Sequence, residues 1–141
     1  MKLLRLLALL VIGFSASAFA QCAAFPCVVA SLALTNQSQA IPATAIFTPT
    51  ANGVFRISSY ISTSTGTNKN ATWEAFEGWT DEIGPRQGGF VFASPNIASS
   101  STWVARVIAG QPVLYQTKLY HTAGGSGGMT YNLNVVVEQL Q

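Results

Sequence analysis

Residues 130–140 read TYNLNVVVEQL, and apolar and polar side chains alternate along most of this stretch. One set of alternate positions holds Tyr131, Leu133, Val135 and Val137, and the other set includes Asn132, Asn134 and Glu138. A period of two places the two sets on opposite faces of a β-strand. The stretch therefore predicts a strand with one face in a core and the other in water.

Seven further segments of strand-like composition precede this one, and turn-forming residues separate them. They cover residues 28–35, 43–48, 54–63, 71–80, 89–93, 103–108 and 113–121. The breaks include an Asn-Gly pair at 52–53, a Gly-Pro turn at 81–85, a serine loop at 99–101 and a glycine-rich loop at 124–128, all typical of turns. No segment sustains a helical period. About eight strands predict an all-β domain, a two-sheet antiparallel β-sandwich.

The first twenty residues predict a secretory signal peptide. Lys2 and Arg5 give a positive start, residues 6–14 are an apolar run, and residues 18–20 (Ala-Phe-Ala) have the small-residue pattern of a cleavage site. The apolar run is too short to be kept as a membrane span. We therefore expect residues 1–20 to be removed, and residues 21–141 to form a single secreted β-sandwich domain, extracellular or periplasmic.

The charge of the mature chain is balanced. The full sequence has seven Lys and Arg and five Asp and Glu, and two of the cations lie in the signal peptide, so five of each sign remain. A neutral surface gives no counterion-release drive toward nucleic acid and little attraction to anionic lipid. Polar positions hold mostly Ser, Thr, Asn and Gln, which repel other copies weakly. We expect a homo-oligomer, no nucleic-acid partner and no transmembrane segment in the mature chain.

Cys22 and Cys27 are the only cysteines. An even count in a secreted chain favours a local disulfide that closes a short loop and fixes the N-terminus. Disulfides between chains, free thiols and a lipid anchor on Cys22 remain alternatives. Two cysteines and the one histidine are too few for a four-ligand zinc site.

One part of the sequence resembles a known family. Phe47, then Gly53 after five residues, then Phe55 and Ile57 at alternate positions are similar to the signature of C1q/TNF-like jelly-roll domains. The Ala109-Gly110 turn and the apolar last strand also resemble that family. The resemblance implies a jelly roll that forms compact trimers and binds ligands outside the cell.

One motif raises the question of catalysis. Gly124-x-Ser126-x-Gly128 matches the nucleophile elbow of hydrolases, but that chemistry needs a strained strand-to-helix turn and a histidine base. Here the serine follows a predicted strand within an oligoglycine loop, and His121 is the only histidine. We interpret the motif as a hairpin loop and His121 as a strand-end residue, and we expect no catalytic residues.

The acidic residues form one cluster, Glu74, Glu77, Asp81 and Glu82. On a strand, Glu74 and Glu77 project to opposite faces, and Glu77 and Asp81 stand about 13 Å apart, so neither pair suits glycoside hydrolysis. We interpret the four as solvated hairpin charges. We expect no cofactor, and calcium held by Asp81 and Glu82 is the alternative.

Trp73 and Trp79 are six residues apart, which places them on one face of a regular strand. Exposed tryptophan rings can stack on sugars, and the alternative is that at least one lies in the core or a subunit interface. The sequence therefore predicts a non-enzymatic secreted β-sandwich that acts through self-assembly or surface interaction. The alternatives are a carbohydrate- or calcium-dependent module binding a glycan or cell-surface partner through Trp73, Trp79, Asp81 and Glu82, and, last, a hydrolase.

Overall fold

The computed structural model describes residues 22, 24–66, 71–121 and 128–141, so the predicted signal peptide lies outside the described residues. Eight β-strands occur within these ranges, and each overlaps one predicted segment. They are β1 (Cys27–Gln37), β2 (Thr44–Phe47), β3 (Gly53–Thr65), β4 (Ala71–Asp81), β5 (Gly84–Ala93), β6 (Ala98–Val107), β7 (Val113–His121) and β8 (Thr130–Gln139). The all-β prediction is confirmed.

The strand pairing is that of one long hairpin rolled into two sheets. β4 pairs with β5, β3 with β6, β2 with β7 and β1 with β8, always antiparallel. Two further antiparallel pairs complete the sheets, β3 with β8 and β4 with β7. Sheet A therefore has the order β1-β8-β3-β6, and sheet B has the order β2-β7-β4-β5. Two four-stranded sheets joined in this way form a jelly roll, which confirms the predicted two-sheet sandwich.

The core lies between the two sheets and is built from alternate residues. In β8 the buried positions are Tyr131, Leu133, Val135 and Val137, the apolar set of the predicted alternation. β3 adds Phe55, Ile57 and Ile61 from the same sheet, and sheet B adds Ala71, Trp73, Ala75, Val91 and Val113. Burial of these side chains is the main stabilising term of the fold.

β6 begins at Ala98, earlier than the predicted start at Trp103. The serine run predicted to be a loop pairs with β3 over its whole length. Hydroxyls facing each other across the two strands hydrogen-bond, Ser59 to Ser101 at 3.1 Å and Ser58 to Thr102 at 3.2 Å. These cross-strand pairs stabilise a strand that composition alone assigns to a turn.

Cys22 and Cys27 form a disulfide with their Cα atoms 6.0 Å apart, within the usual range for such a bond. The local pairing predicted for the two cysteines is confirmed. Both residues pack against the core, so the bond fixes the chain just before and at the start of β1.

Candidate functional site

Trp73 lies in the core and has 1% of its surface exposed. Its ring packs on Tyr131, with 4.5 Å between the ring centroids, and its Nε1–H donates to the Met129 carbonyl at 3.2 Å. The Tyr131 hydroxyl in turn bonds Thr117 at 2.7 Å. Trp73 is therefore a structural residue whose faces cannot stack on a sugar.

Trp79 also belongs to the inner face of sheet B, where it is half-buried and packs against the core. The six-residue spacing places Trp79 about 20 Å along β4 from Trp73. The structure therefore does not bring the two rings together as an exposed platform for a glycan, because Trp73 is buried and Trp79 lies further along the strand.

Asp81 and Glu82 are at the β4–β5 turn, and both carboxylates are engaged by the protein. Asp81 Oδ1 accepts from the amides of Ile83 and Gly84 at 2.9 and 3.1 Å, and Oδ2 accepts from Arg86 Nε at 2.7 Å. The bond from Arg86 is the main reason that the pKa of Asp81 lies below its ordinary value. These contacts fix the hairpin turn.

The Glu82 carboxylate lies 3.0 Å from Arg106 Nε on the exposed surface. Within the described ranges, no group of three or more His, Cys, Asp or Glu side chains is close enough to hold a metal ion. Calcium at Asp81 and Glu82 would have to replace two arginine contacts that the protein already makes.

The hydrolase-like motif falls mostly on residues that the structure does not describe. Ser126 and Gly124 lie outside the described residues, and Gly128 has a positive φ of 74°, which suits glycine in a turn. His121 is the last residue of β7 and pairs with Ala71, so its position at a strand end is as predicted.

Glu77 is the residue that the sequence interpretation placed wrongly. It was expected to be a solvated hairpin charge, but its side chain is 1% exposed, between the sheets. The reason is its position on β4, because Ala71, Trp73 and Ala75 face the core and Glu77 continues the same alternation. The periodicity of the strand was the signal that could have identified it.

A β-bulge lies directly opposite Glu77. Phe76 pairs with Phe90 and Gly78 with Gln87, so two residues of β5, Gly88 and Gly89, stand against the one residue between them on β4. Such bulges re-aim side chains and occur next to binding sites. A Cβ atom on Gly88 would lie 3.2 Å from Glu77 Oε2 and 3.2 Å from Trp103 Nε1, so the missing side chain lets the carboxylate and the indole approach one point.

The Glu77 carboxyl is buried without a full set of partners. Neither of its oxygens has a hydrogen-bond partner among the described residues. Burial raises the pKa of Glu77, and the nearby Ser59 hydroxyl and the Glu77 backbone offset only part of this effect. An unsatisfied buried carboxyl is costly to stability, and such groups often mark functional sites.

The face of β4 opposite Glu77 belongs to the outer surface of sheet B. The outer face of sheet B is defined here by Glu74, Phe76, Phe92, Lys118 and Tyr120. Glu74 is directly across from Lys118 in the strand register, and the Lys118 ammonium lies 5.2 Å from the centre of the Phe76 ring. Phe92 is 40% exposed and Tyr120 is 50% exposed, so the face combines accessible aromatic surface with one acid and one base.

No protein-family model matches the chain, and no curated protein matches it. The part of the chain that the structure describes contains no helix with the length and apolar character needed to cross a bilayer.

Proposed function

We propose that this chain is a non-enzymatic extracellular jelly-roll protein that works by associating with copies of itself through the outer face of sheet B. The observation that carries the proposal is the composition of this face. Exposed aromatic side chains surround a glutamate and a lysine that are neighbours across two strands. Interfaces are enriched in aromatic side chains, and opposite charges that pair across an interface fix its register.

The charges make the face complementary to itself. A two-fold axis lying in the interface, parallel to the strands and midway between β4 and β7, would put Glu74 of each copy opposite Lys118 of the other. The same axis would put Thr72 opposite Tyr120, because these residues are also paired in register. Two-fold interfaces require this property, since one patch must match its own copy.

The size of the face sets the expected strength. β4, β5 and β7 have 9 to 11 residues each and β2 has 4, so at about 3.3 Å per residue and about 4.8 Å between strands the face covers on the order of 500 Å². A standard interface buries about 800 Å² per partner, so we expect reversible association in the micromolar range rather than an obligate complex.

Charge reversal tests the proposal directly. In sedimentation experiments on residues 21–141, K118E and E74K should each be monomeric, because two like-charge pairs would then face each other. An equimolar mixture of K118E and E74K should regain the dimer mass, because every pair is again opposite in sign. Monomeric wild-type protein at 100 μM, or a mixture that stays monomeric, would contradict the proposal.

A matched pair of tyrosine variants distinguishes specific association through the outer face of sheet B from nonspecific association. Tyr120 on sheet B and Tyr60 on sheet A have similar exposure, 50% and 45%. Tyr120→Ser should weaken association and Tyr60→Ser should not. A trimer, which the C1q/TNF-like resemblance implies, would keep self-association but contradict the two-fold arrangement.

A further inference from the structure

The interior of the sandwich carries a carboxyl group that self-association through the outer face does not use. Glu77 projects from β4 toward the side of the molecule where β5 and β6 are the outermost strands of their sheets. Neither carboxylate oxygen has a partner among the described residues, although the side chain is almost fully buried.

The described groups that face Glu77 are uncharged. They are Tyr115, directly opposite on β7; Gly88 in the bulge of β5; Ser59 on β3; and Ser101 and Trp103 on β6. The Ser59 and Ser101 hydroxyls bond each other at 3.1 Å. The surroundings therefore supply hydroxyl groups, which can donate or accept, and an aromatic ring, but no cation to balance the carboxylate.

Trp103 is the partly exposed residue beside this carboxyl. It is 39% exposed on the edge strand β6, and its Nε1 approaches the same point above Gly88 as Glu77 Oε2. Movement of a single partly exposed side chain on an edge strand would open a path to the carboxyl.

We propose that the edge of the sandwich between Trp103 and Glu77 binds a primary ammonium group carried on an unbranched alkyl chain. An ammonium group is a cation with three donors and no acceptor, which matches a buried carboxylate whose two oxygens have no hydrogen-bond partner among the described residues. The indole face would add a cation–π contact, and the alkyl chain would lie along the tryptophan. The ammonium could belong to a small free amine or to a lysine side chain of a polypeptide.

Binding should depend on pH in a defined direction. Burial raises the pKa of Glu77, whereas an alkylammonium keeps its charge up to about pH 10. The guest pairs with the ionised carboxylate, so its binding should release the proton that Glu77 holds. Apparent affinity should therefore rise with pH until Glu77 is ionised in the free protein, and then level off.

The test is an NMR titration of the indole N–H signals with n-butylammonium chloride at pH 8, in amine-free buffer at constant ionic strength. Trp103→Phe identifies the Trp103 signal. That signal should shift and saturate, whereas the signal of Trp73, already bonded to Met129, should not. Tetramethylammonium, which has no N–H donor, should cause no saturable shift.

Variants test whether binding of butylammonium depends on the Glu77 carboxyl. Glu77→Gln should weaken binding about 10- to 100-fold, the range expected for losing a hydrogen bond to a charged group. Gly88→Ala, whose methyl would lie 3.2 Å from both groups, should weaken it as well. Glu82→Gln is the control, because Glu82 is exposed and pairs with Arg106, and it should leave binding unchanged.

A second arm identifies the source of the ammonium group. A tripeptide with a central lysine and blocked ends should bind like butylammonium if the natural partner is a polypeptide, and more weakly if it is a small amine. The proposal is overturned by the absence of a saturable Trp103 shift, by an equal shift with tetramethylammonium, or by unchanged binding in Glu77→Gln. Should Glu77→Gln fail to fold, the pH profile and Gly88→Ala decide in its place.

Discussion

Replacing Glu77 with glutamine should stabilise the protein at neutral and alkaline pH. Glutamine has nearly the same shape but no charge, so it removes the cost of ionising a carboxyl between two sheets. The glutamine amide is still a buried polar group, so the substitution removes only the additional cost of the charge. We expect the free energy of unfolding of Glu77→Gln to exceed that of the wild type at pH 8 by about 1.4 kcal/mol for each pKa unit by which the folded-state value of Glu77 lies above the unfolded one.

The pH dependence has a fixed sign. Burial raises the pKa of Glu77 above the ordinary value of 4.5, so the folded chain holds this proton more tightly than the unfolded chain does. The wild type therefore loses stability as the pH rises from 4.5 through the folded-state pKa, and the loss is complete above it. At pH 4 the side chain of residue 77 is largely neutral in the wild type and is neutral in Glu77→Gln, so the two proteins should be nearly equal in stability.

Urea unfolding followed by tryptophan fluorescence, from pH 4 to pH 8 in amine-free buffer, measures the difference. Other acids titrate in both proteins, so their contributions cancel in the comparison. For a domain of this size, each kcal/mol corresponds to about 3–5 °C in melting temperature. A difference that does not grow with pH, or a glutamine variant less stable than the wild type at pH 8, would refute the reasoning.

Three further perturbations have defined outcomes. Trp73→Phe should lower the free energy of unfolding by about 1–3 kcal/mol, because it leaves the Met129 carbonyl without its donor in the core; urea unfolding measures this loss. Arg56 Nε and Nη2 bond the Glu138 carboxylate at 2.6 and 2.9 Å, which holds the pKa of Glu138 below its ordinary value. The stability from this pair is present above the unfolded pKa of about 4.5 and disappears as the pH falls through the folded value, so Glu138→Gln should flatten the acid limb of a melting-temperature profile. Reducing the Cys22–Cys27 bond should cost at most about 2 kcal/mol, because it closes a loop of only a few residues; a larger loss in denaturation with and without reductant would show that the bond does more than fix the N-terminus.

Most of the fold could be predicted from the sequence, because each core strand has its own pattern. The alternation in β8 identified its buried face residue by residue, and turn chemistry at Asn52-Gly53 and near Asp81 marked the ends of strands. The start of β6 could not be predicted, because the serines at 99–101 have turn-like composition. They form a strand because they pair in register with β3, where the Ser59 hydroxyl bonds that of Ser101, and that pairing joins distant parts of the chain.

The candidate site was less predictable, for two physical reasons. Glu77 belongs to the buried set of β4, but the composition of the acidic cluster favoured solvent, and the two criteria disagreed at this residue. The position of Trp103 beside it depends on the Gly88–Gly89 bulge and on the contact between two sheet edges. Neither feature leaves a local pattern in the sequence, whereas the burial of Trp73 follows from its ordinary preference for the core.

The burial of a single carboxyl between the sheets links the fold to the proposed ammonium site, and a titration of that carboxyl tests it most directly. The carboxyl carbon of Glu77 can be followed by NMR from pH 3 to pH 9, with Glu77→Gln to assign its signal. The account predicts a midpoint clearly above the ordinary pKa of 4.5, and a shift of that midpoint to lower pH when butylammonium is added. A midpoint at or below 4.5 that is insensitive to the amine would show Glu77 to be solvated or already paired, and would contradict the account.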